Sequence, residues 1–157
     1  MLELEGKVAI VTGAGRLRGI GRAAAVSLAR LGANVVVTGT GRDPSNYPQD
    51  EKEIGWKDIY STAEQIRLEG AKALPLVSNV VSLQSVNEMI NQTLSEFGRI
   101  DILVNNAGIN MDNLSIRMKY EEWKKVIDVN LGSTFLLCKH ALKKMLKNKY
   151  GRIVNIT

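Results

Sequence analysis

Between residues 12 and 21 the chain reads TGAGRLRGIG, with glycines at 13, 15, 19 and 21. A glycine run lets backbone approach a ligand closely, and its open N–H groups can bind the charge of a phosphate. The flanking residues decide whether that chemistry applies. Residues 7–12, KVAIVT, read as a buried strand, and from Ile20 the apolar residues Ile20, Ala24, Leu28 and Leu31 recur at helical spacing. The loop therefore joins a strand to a helix N-terminus, whose positive dipole end favours an anion. Pyrophosphate binding by Thr12, Gly13, Gly15, Arg18, Gly19, Ile20 and Gly21 is the expected role.

A dinucleotide also needs a residue at the end of the second strand to read the adenosine ribose. A carboxylate there accepts from the 2′-hydroxyl, whereas basic side chains suit a 2′-phosphate. Residues 34–38 form that strand, and no acid lies between Asn34 and Arg42. The strand ends at Thr38, and Arg18 and Arg42 are the nearest cations. A guanidinium pairs bidentately with phosphate, so NADP is expected over NAD, with Asp43 the one nearby carboxylate that could turn inward.

Other chemistries are excluded by composition. Cys138 is the only cysteine and His140 the only histidine, so neither an internal disulfide nor a zinc cluster can form. Cys138 lies among apolar residues and is expected as a small core side chain. The chain has 157 residues, 45% of them apolar and 24% charged, the balance of one globular domain spanning 1–157. There is no apolar run near the roughly 18 residues of a membrane span, and the opening Met-Leu-Glu-Leu-Glu is acidic where a targeting peptide would be basic. A cytoplasmic protein is expected. Of 21 basic and 16 acidic residues, residues 101–157 hold 10 and 5, leaving 11 and 11 for residues 1–100, so the whole excess of +5 lies in the last third. Lys139, Lys143, Lys144, Lys147, Lys149 and Arg152 crowd one stretch of it.

The elements that must position these residues alternate between strand and helix. Helices are expected over 20–31, 57–69, 82–97 and about 120–147, and strands over 7–12, 34–38, 71–77, 100–105 and 152–157. Ser82 is a candidate N-cap, and Gly32, Gly70 and Gly98 stop their helices. Such alternation builds an α/β fold, a doubly wound parallel sheet with helices on both faces, here reading as truncated after its fifth strand. The polar stretch 39–56 is long for a strand-to-helix connection and is expected to lie beside cofactor or substrate.

Four ordered motifs now resemble the short-chain dehydrogenase/reductase family: Thr12-Gly13 with Gly19-Ile20-Gly21, Asn79-Val80, Asn105-Asn106-Ala107-Gly108, and Asp128-Val129-Asn130-Leu131. Each is short, but their order and separation along almost the whole chain are specific. The run from Asn105 to Leu131 is similar to that of the 3-oxoacyl-acyl carrier protein reductases. The resemblance implies a Rossmann-type sheet of strand order 3-2-1-4-5, in which Gly13, Gly19, Ile20 and Gly21 wrap the pyrophosphate and Asn79 and Val80 touch adenine. It places Asn106, Ala107 and Gly108 along the path to the nicotinamide ribose, and it gives Asn130 a role in holding a water of the proton relay. An amide in an apolar helical stretch should in any case be hydrogen-bonded, since burying it unpaired costs about 1–3 kcal/mol.

The implied activity is hydride transfer between NADPH and a carbonyl, in the first place a 3-oxoacyl thioester on acyl carrier protein. Lys139, Lys143, Lys144 and Lys147 are then available to dock that acidic carrier, and a homo-oligomer is expected. Other small carbonyl substrates, or a catalytically incomplete cofactor-binding or oligomerisation module, are the alternatives. The family's catalytic Ser lies just beyond its fifth strand and its Tyr-x-x-x-Lys on the next helix, whereas the sequence stops at Thr157. The one literal match, Tyr120 to Lys124, precedes Asn130 and is expected to be an ordinary helix-start pair. Two further departures stand out: five residues instead of three between Thr12-Gly13 and Gly19, and the 39–56 insertion. Nucleic-acid binding by the basic stretch is not expected, because it lacks interleaved aromatics and Trp123 and Phe135 fit core spacing.

Overall fold

A computed structural model describes residues 2–157. Five parallel strands, β1 (Val8–Val11), β2 (Asn34–Gly39), β3 (Ala73–Val77), β4 (Ile102–Asn105) and β5 (Arg152–Asn155), form one sheet of order β3-β2-β1-β4-β5. The expected order is therefore the observed one. Side chains alternate across a strand, and the central strand shows what this does. Ala9 and Val11 face one layer, with Ala25, Val26 and Ala29 of α1 (Ile20–Arg30) and Ile59, Ala63 and Ile66 of α3 (Ile59–Leu68). Ile10 faces the other, with Val86, Met89 and Ile90 of α4 (Leu83–Phe97) and Leu137, Ala141 and Met145 of α6 (Ser133–Asn148). Because both faces are covered, β1 and β4 are buried throughout and β2 is buried over its central residues, with apolar runs Val8–Val11, Val35–Val37 and Ile102–Val104.

Pro75 lies in β3 opposite Val37. A residue without an N–H is tolerated there because β3 is an edge strand. Ser82 caps α4 by accepting from Ser85 N–H, and Gly98 ends it at φ 74°, a left-handed stop that glycine makes cheaply.

The polar 39–56 stretch carries two short elements, a 3₁₀ turn over Pro44–Asn46 and α2 (Gln49–Glu53). Two expectations are corrected. The helix expected over 120–147 is two helices, α5 (Tyr120–Ile127) and α6, joined by a π-helical turn at Asp128–Gly132. Trp123 and Phe135 are not core residues but 55% and 67% exposed. Helical spacing reported the stripe correctly but could not say whether protein or solvent lies against it. Cys138 is half-buried against the α4–α6 layer. No helix of the described residues is long and apolar enough to cross a membrane.

Candidate dinucleotide cleft

In an open parallel sheet, ligands bind outside the carboxyl ends of the strands where the strand order reverses. Here that crevice lies between β1 and β4, and it is the site of a cleft of about 1010 Å³, ample for a drug-sized or larger ligand. Gly13, Gly15, Gly19 and Ile20 line its floor, Thr38 and Arg42 the β2 side, Asn79 and Val80 the β3 side, and Asn106, Ala107 and Gly108 the β4 side.

The floor is built for backbone contact. Gly13 has φ +65°, and a Cβ on it would stand 2.8 Å from Ala107 Cα, so no other residue brings β1 this close to β4. A Cβ on Gly21 would strike the Asn106 amide and lie 2.8 Å from the Gly13 carbonyl. Gly21 thus seats α1 against the loop and does not line the cleft. The α1 N-terminus has no side-chain cap and no acid in its first turn. Its first N–H groups lack intrahelical partners, and nothing negative from its own turn competes for an anion.

Thr12 stands behind the cleft, fully buried. Its hydroxyl accepts from Asn106 N–H at 3.1 Å and Ala107 N–H at 3.0 Å and donates to the Val104 carbonyl at 3.3 Å. The Asn106 amide donates in turn to the carbonyls of Thr12 and Gly13 at 2.9 and 3.0 Å. The glycine loop and the Asn105-Asn106-Ala107-Gly108 segment are thereby one hydrogen-bonded unit, and Thr12 positions it. On the β3 side Asn79 is exposed, with its side-chain oxygen accepting from Val81 N–H at 3.2 Å, while Val80 is buried and presents an apolar wall.

Asn130 lies in the π-helical turn and is exposed, not buried in an apolar helix as its sequence context suggested. Its amide still makes two bonds, accepting from Ile109 N–H and donating to Ile109 C=O, both 2.9 Å. The extra residue of the π-turn gives the helix a local bulge, a feature frequent at functional sites. Of the rejected pair, Tyr120 is exposed at the start of α5 and Lys124 pairs with Asp128 one turn on.

The arginine pair is not assembled at the β2 end. Arg18 is 83% exposed, pairs with Asp50 at 2.9 Å and does not line the cleft. Arg42 does line it, but its guanidinium donates to Glu51 at 3.0 Å, to Asp58 at 3.1 and 3.3 Å, and to the Gly15 carbonyl at 3.1 Å. Burial alone would lower the Arg42 pKa, yet the hydrogen bonds and charges of Glu51 and Asp58 outweigh it and hold the group above its ordinary value. Asp43 does not turn inward: it caps the 3₁₀ turn, and accepting from Ser45 N–H holds its carboxyl below the usual range.

Sequence reasoning missed the partners that fold onto this loop. Glu51 of α2 accepts from Leu17 N–H at 2.9 Å, Trp56 donates its indole N–H to the Gly15 carbonyl at 2.6 Å, and Thr62 of α3 donates to the Ala14 carbonyl at 2.7 Å. The insertion and the lengthened glycine loop hold each other. The only prior signal was that both depart from the family pattern within one chain.

Comparisons with known proteins agree with this geometry. Residues 7–157 match the family model described as short chain dehydrogenase. The chain is 44% identical over 157 residues to a 3-oxoacyl-[acyl-carrier-protein] reductase from Synechocystis sp., covering 100% of this chain and 58% of that protein. It is 41% identical over 155 residues to the enzyme of the same name from Escherichia coli, covering 99% and 56%. A crystal structure described as a short-chain dehydrogenase/reductase from Burkholderia xenovorans superposes with a TM-score of 0.84 at 32% identity, over 100% of this chain and 56% of that one. The chain therefore spans a little over half the length of the curated relatives it matches.

Proposed function

The chain belongs to the short chain dehydrogenase family, and from that premise we propose that it binds a nicotinamide dinucleotide for an oxidoreductase acting on a carbonyl or alcohol, in the first place a 3-oxoacyl thioester on acyl carrier protein. The observation that carries the reading is the cleft: a glycine floor, an uncapped helix N-terminus and the Thr12-braced Asn106–Gly108 wall meet at the switch point of the sheet. Bound there, the nicotinamide supplies or accepts the hydride. Gly13, Gly15 and Gly19 hold the pyrophosphate against open N–H groups, Val80 and Asn79 flank the adenine, and Asn106 to Gly108 set the path toward the nicotinamide ribose. Asn130, clamped to Ile109, orients the segment that follows that path and is the candidate for the proton relay. The NADP expectation rested on Arg18 and Arg42, and the engagement of both with carboxylates leaves that choice to the ribose subsite, argued below.

The thioester substrate is supported by the reductase relatives and by the exposed row Lys139, Lys143 and Lys147 on α6, beside the half-buried Lys144, which offers positive charge to an acidic carrier. The test compares a carrier-bound 3-oxoacyl substrate with a small thioester analogue on the full-length protein. Lys143→Glu with Lys147→Glu is expected to raise KM for the carrier-bound substrate by about tenfold, equivalent to some 1.4 kcal/mol, and to leave the small analogue unchanged. Equal effects on the two substrates remove the docking surface, and no turnover of either removes the substrate class.

A further inference from the structure

We infer that Asp58, two residues beyond the insertion and at the N-cap of α3, is the carboxylate that reads the adenosine ribose of the cofactor, and that it selects NAD(H) over NADP(H). The inference rests on the dinucleotide reading of the cleft. β2 brings no acid of its own to this position, since residues 34–42 contain none. Asp58, sixteen residues after Arg42 in sequence, is folded back into the same place. Its carboxylate lines the cleft, lies where a side chain at Gly15 would have to go, and stands 3.7 Å from where a Cβ of Gly39, the last residue of β2, would be. It occupies the corner between glycine loop and strand end at which a ribose-reading carboxylate belongs.

Asp58 adopts φ 54° and ψ −132°, a strained conformation for a residue other than glycine, which packing against the loop maintains. Arg42 carries one positive charge between two carboxylates, Asp58 and Glu51, whose side chains are only 6% and 3% exposed, so the cluster is net negative. A 2′-phosphate would bring nearly two more negative charges, with the Arg42 fork already engaged. Of the other cations that line the cleft, Arg16 is exposed on the glycine loop, and Lys124 and Lys125 belong to α5. A 2′-hydroxyl, in contrast, can donate to Asp58, whose Oδ2 is met only by the Arg42 backbone N–H at 3.3 Å. Beside it the buried Thr38 lines the same wall, and its Oγ1 finds no hydrogen-bond partner among the described residues.

The test is a binding measurement on the full-length protein: calorimetric titration with NADH and NADPH, and competition by adenosine 5′-phosphate and adenosine 2′,5′-bisphosphate. The native protein is expected to bind NADH at least about tenfold more tightly than NADPH, and the monophosphate more tightly than the bisphosphate. Asp58→Asn keeps the shape, makes the cluster neutral and leaves Arg42 one charged partner. Its NADH-to-NADPH affinity ratio is expected to fall by about tenfold, with circular dichroism verifying the fold. Native protein that binds NADPH as tightly as NADH overturns the assignment whatever the variant does, as does an unmoved ratio in folded Asp58→Asn. Native protein that binds neither dinucleotide overturns the cofactor reading, and the assignment with it.

Discussion

At the scale of single residues, the cleft depends on groups that do not touch its contents. Thr12 is fully buried, and one hydroxyl accepts two backbone N–H groups of the opposite wall. Replacing it by the near-isosteric valine leaves both donors without that acceptor, and an unsatisfied buried donor costs about 1–3 kcal/mol. Thr12→Val is therefore expected to lose about 2 kcal/mol in urea unfolding at unchanged slope, while Thr12→Ser retains the acceptor and loses less. Equal stability of Thr12→Val and the native protein would show that the hydroxyl does not brace the wall. Asn130 works by the same economy of contact: one amide satisfies both polar groups of Ile109 and ties a loop to a helix twenty-one residues away.

At the scale of elements, the lengthened glycine loop and the 39–56 insertion form one device. A flexible loop of this composition would lose much of its affinity to the entropy of ordering. Here Glu51, Trp56, Arg42 and Thr62 fix its N–H and C=O groups before any ligand arrives. Preorganisation of this kind lowers the free-energy cost of binding. Gly15 is the tightest point, since a Cβ there collides with the Asp58 carboxylate. Gly15→Ala is expected to displace loop or aspartate at a cost of about 1–3 kcal/mol, and to weaken dinucleotide binding by about tenfold or more while Leu68→Ala, an exposed position at the end of α3, leaves affinity unchanged. Calorimetric titration of both variants checks this, and equal affinities would dissolve the link between insertion and loop.

At the scale of the whole molecule, the covered sheet contrasts with an uncovered helical face. Trp123, Leu131, Phe135 and Leu146 of the α5–π-turn–α6 segment are 55%, 64%, 67% and 74% exposed. Large apolar side chains gathered on one segment of a folded protein mark a contact surface more often than a solvent face. The homo-oligomer expected from the family resemblance would bury them, and Phe135→Glu is then expected to reduce the assembled mass measured by light scattering on the full-length protein, where Leu68→Glu, on α3, does not. An unchanged mass for Phe135→Glu would move the interface elsewhere.

How much of this was legible in advance follows from the range of the interactions involved. The strand–glycine loop–helix unit and the caps at Ser82 and Gly98 were readable because they depend on periodicity and on local backbone chemistry, whereas the strand order, a matter of long-range pairing, was readable only through the family resemblance. The residues lining the cleft were readable where motif and strand end coincide, as at Gly13, Thr38, Val80 and Asn106. Helical spacing alone misassigned Trp123 and Phe135, because a stripe has the same period whether its cover is this chain or something else. The electrostatics of the corner between the glycine loop and the end of β2 were not readable at all. From sequence, Arg42 stood as a free cation and Asp58 as an unremarked residue of the helix expected over 57–69. Only the tertiary fold carries Asp58 and Glu51 back onto Arg42, and charge interactions depend on distance in space, which separation along the chain does not report.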